Sequence, residues 1–317
     1  MPSVDSGKFD GIKTLIKKTY MKYSEEELKR WTNPPSETED EKLQNAERMV
    51  KDAINSDKKL CPMNITIFCQ GSYANNTNIR LDSDIDVNVC YTDAFYYDLP
   101  EGYSKDYFGL GNSCHYSFSE YKNDVERALV VKFGRQNVTR KNKCITVKEN
   151  TYRAKIDVVP TWKHRWYLKN KNYSDGVVLF ADNNNSKIIN YPLQHIKNGK
   201  QKNEDTLRRF KSLVRIFKKI NVKMEDDGYY NDQNITSFLL ECLVWNCPDS
   251  VFVNYNTWQE RLKQSIIYIY NNTTEEATRW KEWGEVSDLL YLFHDQRKWS
   301  RDAVNRHVLK MWNYMGY

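Results

Sequence analysis

The chain has 317 residues, 40% of them hydrophobic and 28% charged, which is the balance of a folded globular protein rather than a disordered one. Its 48 basic and 42 acidic side chains give a net charge of +6. This mild excess suits a protein that handles phosphates, but it does not indicate a duplex-binding surface. No run approaches the roughly 18 consecutive apolar residues of a membrane span, and the N-terminus lacks a secretory signal. We therefore expect a cytoplasmic protein with no membrane partner.

Residues 8–56 are predicted to be helical, and the segment PPSETEDEKLQNAERMVKDAIN within them to form one long amphipathic helix. Ser36 follows two prolines as a candidate N-cap, and Glu39 stands three positions later, as in a capping box. Apolar residues then recur at helical spacing. They are Leu43, Ala46, Val50 and Ala53.

The pattern then changes to strands. The segment 64–72, NITIFCQGS, is a short β-rich run, and 84–91, DIDVNVCY, alternates with period two. Ile85, Val87 and Val89 are predicted to face one side of this strand, and Asp84, Asp86 and Asn88 the other.

A hairpin is predicted at residues 144–162. Glu149 and Asn150 would form its turn, and Pro160 would close its second strand. Within that strand Ala154, Ile156 and Val158 fall on one face, and Lys155, Asp157 and Val159 on the other.

Helices follow from about residue 204. In EDTLRRFKSLVRIFKKI the apolar positions keep helical spacing, while Lys211, Arg215 and Lys218 fall on another face. The apolar set is Leu207, Phe210, Val214, Phe217 and Ile220. The whole pattern predicts an α+β fold, with a catalytic lobe of helix and mixed sheet over 1–200 and a helical lobe over 201–317.

Three carboxylates carry the chemistry. Asp84 and Asp86 lie on one strand face about 7 Å apart, so their side chains can converge, and converging carboxylates repel unless a proton or cation lies between them. Asp157, in the middle of another apolar strand, also needs a partner. Oxygen ligands without His or Cys suit two Mg²⁺ ions, with Mn²⁺ as an alternative. Asp157 would bind the ion on the side of the attacking hydroxyl.

Gly71 and Ser72 end the strand before this cluster. Backbone N–H groups and a hydroxyl at such a turn can bind phosphate oxygens, and glycine allows a close approach. The order strand, Gly71-Ser72, Asp84-Ile85-Asp86 and Asp157 resembles the nucleotidyltransferase fold of the DNA polymerase β superfamily.

The flanking sequences QGSYANNTNIRLDSDIDVNV, IDVVPTW and SFLLECLVWN resemble the bacterial CD-NTases, relatives of animal cyclic GMP-AMP synthase and of oligoadenylate synthase. The resemblance implies that nucleoside triphosphates (ATP, GTP, UTP or CTP) are donor and acceptor. The product would be a cyclic di- or trinucleotide that activates a separately encoded effector in antiphage signalling. No zinc-binding insertion of His and Cys occurs, so activation by DNA is not expected.

The resemblance also implies roles for particular residues. Asp84, Asp86 and Asp157 would bind the metal ions, and Gly71 and Ser72 the triphosphate.

A lysine and a serine of the helical lobe would hold the donor phosphates. Lys211 and Ser237 are the candidates, although Arg208, Arg215 and Lys218 compete with Lys211. Phe238 would stack on a base or pack in the core, and Gln70 would bind near the substrate or only shape the turn. Asp82 is expected to be a turn residue.

Other functions remain open at this point. A tRNA 3′-end, poly(A) or antibiotic nucleotidyltransferase would share the fold, but an RNA-extending enzyme needs a longer basic face than 208–219 offers. A non-catalytic nucleotide-binding protein would be free to lose the carboxylates and Gly71-Ser72, all of which are present.

Overall fold

A computed structural model of the protein describes residues 21–34, 37–79, 84–111, 114–294 and 297–317. The α-helices are α1 (Glu25–Trp31), α2 (Glu37–Asn55), α3 (Gly71–Ala74), α4 (Phe118–Phe133), α5 (Pro192–Asp205), α6 (Arg209–Asp226), α7 (Ser237–Trp245), α8 (Asp249–Val253), α9 (Trp258–Asn272) and α10 (Arg301–Met315). The strands are β1 (Ile65–Gln70), β2 (Ile85–Asp98), β3 (Val138–Arg140), β4 (Ile145–Val147), β5 (Ile156–Tyr167), β6 (Tyr173–Phe180) and β7 (Lys187–Asn190). The predicted α+β class is confirmed.

These seven strands form one mixed sheet. β1 pairs antiparallel with β2, and β2 pairs parallel with β5. The other edge of β5 pairs first with β4 and then with β6, both antiparallel. The first halves of β2 and β5 are thus covered on both edges, and they carry the predicted carboxylates.

The sheet and the C-terminal helices have separate apolar cores. The strand residues Ile85, Val87, Ile156 and Val158 are fully buried against α2 and α4. The second core lies within α6, α7, α9 and α10, and it also includes Leu28 of α1. The division at residue 200 stays a prediction; it falls within α5, and α1 packs on the helical core.

Three local predictions differ from the structure. The helical stretch predicted over 8–56 is interrupted where α1 ends at Trp31, whereas the long amphipathic helix predicted after the two prolines is confirmed as α2, which has 19 residues. Leu207 is not on the buried face of α6: it has a φ of +55° and is 64% exposed, since the chain turns between α5 and α6 there.

The third concerns Pro160, which does not close its strand. β5 continues to Tyr167, and Pro160 lies after the pairing with β4 has ended and before that with β6 begins. A missing N–H therefore breaks no hydrogen bond with either strand.

Some predictions fall outside the described residues. Residues 8–20, Ser36 and Asp82 are among these, as is the side chain of Glu39. Among the helices that the structure describes, none combines the length and the apolar character needed to cross a membrane.

Candidate active site

The parallel pairing of β2 with β5 brings two of the three predicted carboxylates side by side. Asp86 and Asp157 are direct partners in the register, so their backbones lie about 5 Å apart on the same face of the sheet. Asp84 immediately precedes β2, two positions from Asp86. Their neighbours Ile85, Val87, Ile156 and Val158 point into the core and fix both strands. The alternation seen in the sequence is therefore present in the fold.

Of the three carboxylates, Asp86 is the one without an ion pair among the described residues. Burial, and after it the charges of Asp157 and Asp84, raises the pKa of Asp86 to about 7. Within the described residues no Lys, Arg or His forms a salt bridge with it. A carboxyl group in this state gains from a nearby cation.

The two outer carboxylates have partners within the protein. Asp84 forms a 2.6 Å ion pair with Lys155. Asp157 accepts a hydrogen bond from Thr146 and lies 3.7 Å from the ammonium of Lys141. In the part of the chain described, no three His, Cys, Asp or Glu side chains are grouped so that they could hold a metal ion as they stand. The carboxylate oxygens nevertheless have the chemistry that a hard divalent cation prefers, and Asp86 forms no ion pair with any basic side chain that the structure describes.

Gly71 makes the closest approach to this cluster. It follows β1 with a φ of +71°, and a Cβ atom at this position would overlap Oδ2 of Asp86. Both the backbone conformation and the contact therefore require glycine. Gly71 and Ser72 open the short helix α3, whose first N–H groups have no partners within the helix.

Gln70 is fixed by a chain of polar side chains along the same sheet face. Its Oε1 accepts a hydrogen bond of 3.0 Å from Asn88, whose Oδ1 accepts one of 2.7 Å from Thr161. Asn88 and Thr161 are fully buried. This chain links β1, β2 and β5 beside the carboxylates.

A cavity of about 370 Å³ opens beside Asp86, between the sheet and the helical bundle. Six of the nine predicted site residues line it: Gln70, Gly71, Ser72, Asp86, Ser237 and Phe238. Asp84, Asp157 and Lys211 are not among its lining residues. The remaining lining residues are Asn75, Asn190, Tyr191, Pro192, His195, Lys218, Glu241, Glu285 and Ser287.

The helical side of the cavity is formed largely by α7. Thr236 caps this helix, so Ser237 is its first residue, and the Ser237 side chain is exposed. Phe238 is half-buried and lies 5.7 Å from the His195 ring and 6.1 Å from that of Trp299, measured between centroids. It therefore both packs on the helical core and borders the cavity.

A buried carboxylate on α7 joins this wall to the sheet. Glu241 accepts hydrogen bonds from Thr77 (2.9 Å) and Lys218 (3.1 Å) and pairs with His195 at 3.0 Å. Burial alone would raise the pKa of Glu241, but Lys218 and His195 hold it below its usual value. Thr77 also donates its N–H to the carbonyl of Ser72. The helical lobe thereby holds the segment that follows Gly71 and Ser72.

Three of the four cations considered for the triphosphate have different surroundings. Arg215 donates to the carbonyls of Thr32 and Asn76 and is buried. Lys218 is held by Thr77 and Glu241 but borders the cavity. For Lys211, burial lowers the pKa.

Sequence reasoning missed most of the polar lining. Asn75 Oδ1 and Ser287 Oγ are buried and have no hydrogen-bond partner among the described residues, a state that favours a ligand contact. Asn190 and Tyr191 precede a proline at the end of a short strand, and nothing in that pattern indicates a binding site. Lys218 is the exception, because it was already named as a competitor of Lys211.

Known proteins are similar to this chain over nearly its whole length. A family model described as cGAS/DncV-like nucleotidyltransferase C-terminal helical domain matches residues 197–316. The cyclic dipyrimidine nucleotide synthase CdnE of Cecembia lonarensis is 57% identical over 93% of this chain and 99% of its own.

Two solved structures are similar as well. The Elizabethkingia meningoseptica CdnE cyclic dinucleotide synthase with GTP and Apcpp has a TM-score of 0.78 at 34% identity, covering 93% of this chain and all of its own. The Rhodothermus marinus CdnE c-UMP-AMP synthase with Apcpp and Upnpp has a TM-score of 0.81 at 28% identity, covering 93% and 98%. The chain therefore belongs to the CD-NTase family of cyclic dinucleotide synthases and is a nucleotidyltransferase.

Proposed function

We propose that this enzyme condenses two pyrimidine nucleoside triphosphates into a cyclic dipyrimidine nucleotide. The relative from Cecembia lonarensis carries that activity in its name at 57% identity. The Elizabethkingia structure, at 34% identity, instead holds GTP and an ATP analogue. Because base choice differs among these relatives, the much higher identity to the dipyrimidine synthase supports pyrimidines here.

One observation carries the catalytic part of the proposal. Asp86 and Asp157 are register partners on adjacent parallel strands, and Oδ2 of Asp86 directly faces Gly71. Carboxylates and a phosphate-binding turn thus share one side of the sheet. Asp84, Asp86 and Asp157 would hold two divalent cations, Mg²⁺ or Mn²⁺. When bound, these cations would neutralise phosphate charge and lower the pKa of the attacking hydroxyl.

The residues of the chain then have separate tasks. Gly71 and Ser72 offer N–H groups and a hydroxyl to the donor triphosphate. Ser237 borders the same cavity from the helical side, so we propose that it holds the terminal phosphates. Lys211 is the candidate cation beside it, because the three N–H donors of the Lys218 ammonium already bind Thr77 and Glu241. Phe238 presents an aromatic ring on which a base can stack.

The reaction consists of two successive transfers. In each, a ribose hydroxyl forms a bond to the α-phosphorus of a triphosphate, the bond to pyrophosphate breaks, and the hydroxyl proton leaves. Asp157 would lie on the acceptor side and orient this hydroxyl. The second transfer closes the ring, and catalysis consists mainly of positioning and charge neutralisation.

Labelled nucleotides test this function. The enzyme is incubated with Mg²⁺ or Mn²⁺ and each pair of labelled nucleoside triphosphates, and phosphatase then removes every terminal phosphate. We expect a phosphatase-resistant product from UTP and CTP mixtures, weaker or absent with ATP and GTP alone. The Asp84→Ala/Asp86→Ala variant should make none.

Two results would contradict different parts of the proposal. A resistant product made from purine nucleotides alone would overturn the pyrimidine assignment and leave the cyclase activity standing. Linear products, or transfer onto added tRNA, would overturn cyclisation itself.

We also propose that the product acts in antiphage signalling through a separately encoded effector, as the family resemblance implies. Phage plating on cells that carry the enzyme and effector, compared with cells that carry the Asp84→Ala/Asp86→Ala variant, tests this role. Equal plaque numbers on both would count against it.

A further inference from the structure

The charges around the three carboxylates are distributed unevenly. Asp84 pairs with Lys155, and Asp157 lies near Lys141 and bonds to Thr146. Asp86, between them, has no such ion pair within the described residues. Among the described residues, each of the two outer carboxylates therefore has a lysine within 4 Å, and the central one has none.

Lys155 is placed by the sheet itself. It immediately precedes β5, and its carbonyl accepts a hydrogen bond of 3.0 Å from the N–H of Ile85. It lies two positions before Asp157, on the same side of the strand, and its ammonium reaches Asp84 at 2.6 Å. The strand pairing therefore fixes a cation at the edge of the carboxylate cluster.

The ion pair remains reachable from solvent. The side chains of Lys155 and Asp84 are 36% and 37% exposed. Exposed pairs of this kind contribute little to stability and can exchange partners.

We propose that Lys155 is a positioning residue that holds Asp84 in the metal-free enzyme and releases it when a divalent cation binds. This inference rests on the proposed function, in which Asp84 is a metal ligand. The cation and the ammonium compete for one carboxylate, so Lys155 weakens metal binding in the absence of nucleotide. In the metal-free protein, the ammonium of Lys155 also neutralises Asp84, which would otherwise be a second carboxylate without an ion pair beside Asp86.

Mn²⁺ binding without nucleotide tests the inference, measured by electron paramagnetic resonance or calorimetry. Lys155→Met keeps the length of the side chain but removes its charge. We expect it to bind Mn²⁺ about fivefold more tightly than the wild type, because displacing an exposed ion pair costs a factor of this order. Lys155→Arg, which keeps the charge, should bind like the wild type.

Lys163→Met is the matched control. Lys163 lies eight positions further along the same side of β5, about 27 Å away, and pairs with Asp175 at 3.2 Å. The Lys163→Met change removes one positive charge from the protein, as Lys155→Met does, but it leaves the ion pair of Asp84 intact. Its Mn²⁺ affinity should therefore stay within twofold of the wild type.

Thermal unfolding in EDTA supplies a second measurement. Lys155→Met should gain more thermal stability from the same Mn²⁺ concentration than the wild type, because a cation that binds the folded protein more tightly stabilises it more. Lys163→Met should show the same Mn²⁺ gain as the wild type.

The outcomes separate this inference from the function on which it rests. Asp86→Asn should weaken Mn²⁺ binding at least tenfold, and unchanged binding would overturn the metal site itself. If Asp86→Asn binds weakly but Lys155→Met binds no more tightly than the wild type, the metal site stands and the role of Lys155 is wrong.

Discussion

At the scale of single residues, alternation along a strand predicted which side chains would face the site. Asp86 stands between Ile85 and Val87, both fully buried, so the carboxylate must point to the opposite face. The same reasoning placed Asp157. What alternation cannot predict is the pairing that makes these two residues neighbours, because the register depends on the whole sheet.

Asp157 gives the sharpest test of the carboxylate cluster. Asp157→Asn keeps the shape of the side chain and can still accept the hydrogen bond from Thr146, so the protein should fold normally. Turnover should fall about a thousandfold or more, because a charged ligand of the transition state is lost. Steady-state kinetics and thermal unfolding check both statements. A loss below tenfold would mean that another residue is the third carboxylate.

At the scale of elements, α6 and α7 hold the segment that follows Gly71 and Ser72 from the helical side. Arg215 binds the carbonyls of Thr32 and Asn76, and Lys218 binds Thr77 together with Glu241. The helical spacing of Arg215 and Lys218 predicted that they share one face of α6, and a charged face of a helix is usually exposed to solvent. The structure shows both side chains buried, because the segment after Ser72 packs directly on α6.

Glu241→Gln tests this connection between the lobes. The change leaves the ammonium of Lys218 buried beside a neutral amide, so we expect a loss of about 3–5 kcal/mol in the free energy of unfolding. The Glu241→Gln/Lys218→Met double variant should recover part of that loss, since no buried charge then lacks a partner. Urea unfolding measures the wild type, the single variants Glu241→Gln and Lys218→Met, and the double variant. Strictly additive losses would show that the two residues are not coupled.

At the scale of the whole molecule, the site lies between two apolar cores. The sheet core fixes the carboxylates, the helical core fixes Ser237 and Phe238, and the cavity opens where the two meet. Leu28 of α1 lies in the helical core, although it precedes the sheet in the chain. The carboxyl group of Asp86 is buried beside two other carboxylates only in the folded protein. Its protonation therefore affects the free energy of unfolding as well as the site.

The charge of Asp86 predicts a dependence of stability on pH in EDTA. Because the folded pKa of Asp86 is raised to about 7, its stabilising contribution is complete below the usual aspartate pKa of 3.8 and is lost as the pH rises through about 7. Between pH 5.5 and 8 the wild type should lose about 2 kcal/mol more than Asp86→Asn. Denaturant unfolding at both values measures this difference, and Mn²⁺ should reduce it. Equal pH dependence in the two proteins would contradict the raised pKa.

The sequence by itself determined the elements and the chemistry of the sheet side of the site. Periods of two and of about 3.6 residues are local, so they revealed the strands with their carboxylates and the buried face of α6. Gly71 and Ser72 were recognisable because they lie at a short, fixed distance in sequence before Asp84 and Asp86.

Tertiary structure alone decided which residues meet across the cavity. Lys218 rather than Lys211 borders it, Glu241 joins the lobes, and Lys155 reaches Asp84 across 71 positions of sequence. Such contacts depend on strand register and on the packing of one lobe against the other. No local pattern encodes them, because the energy that fixes them comes from residues far apart in the chain.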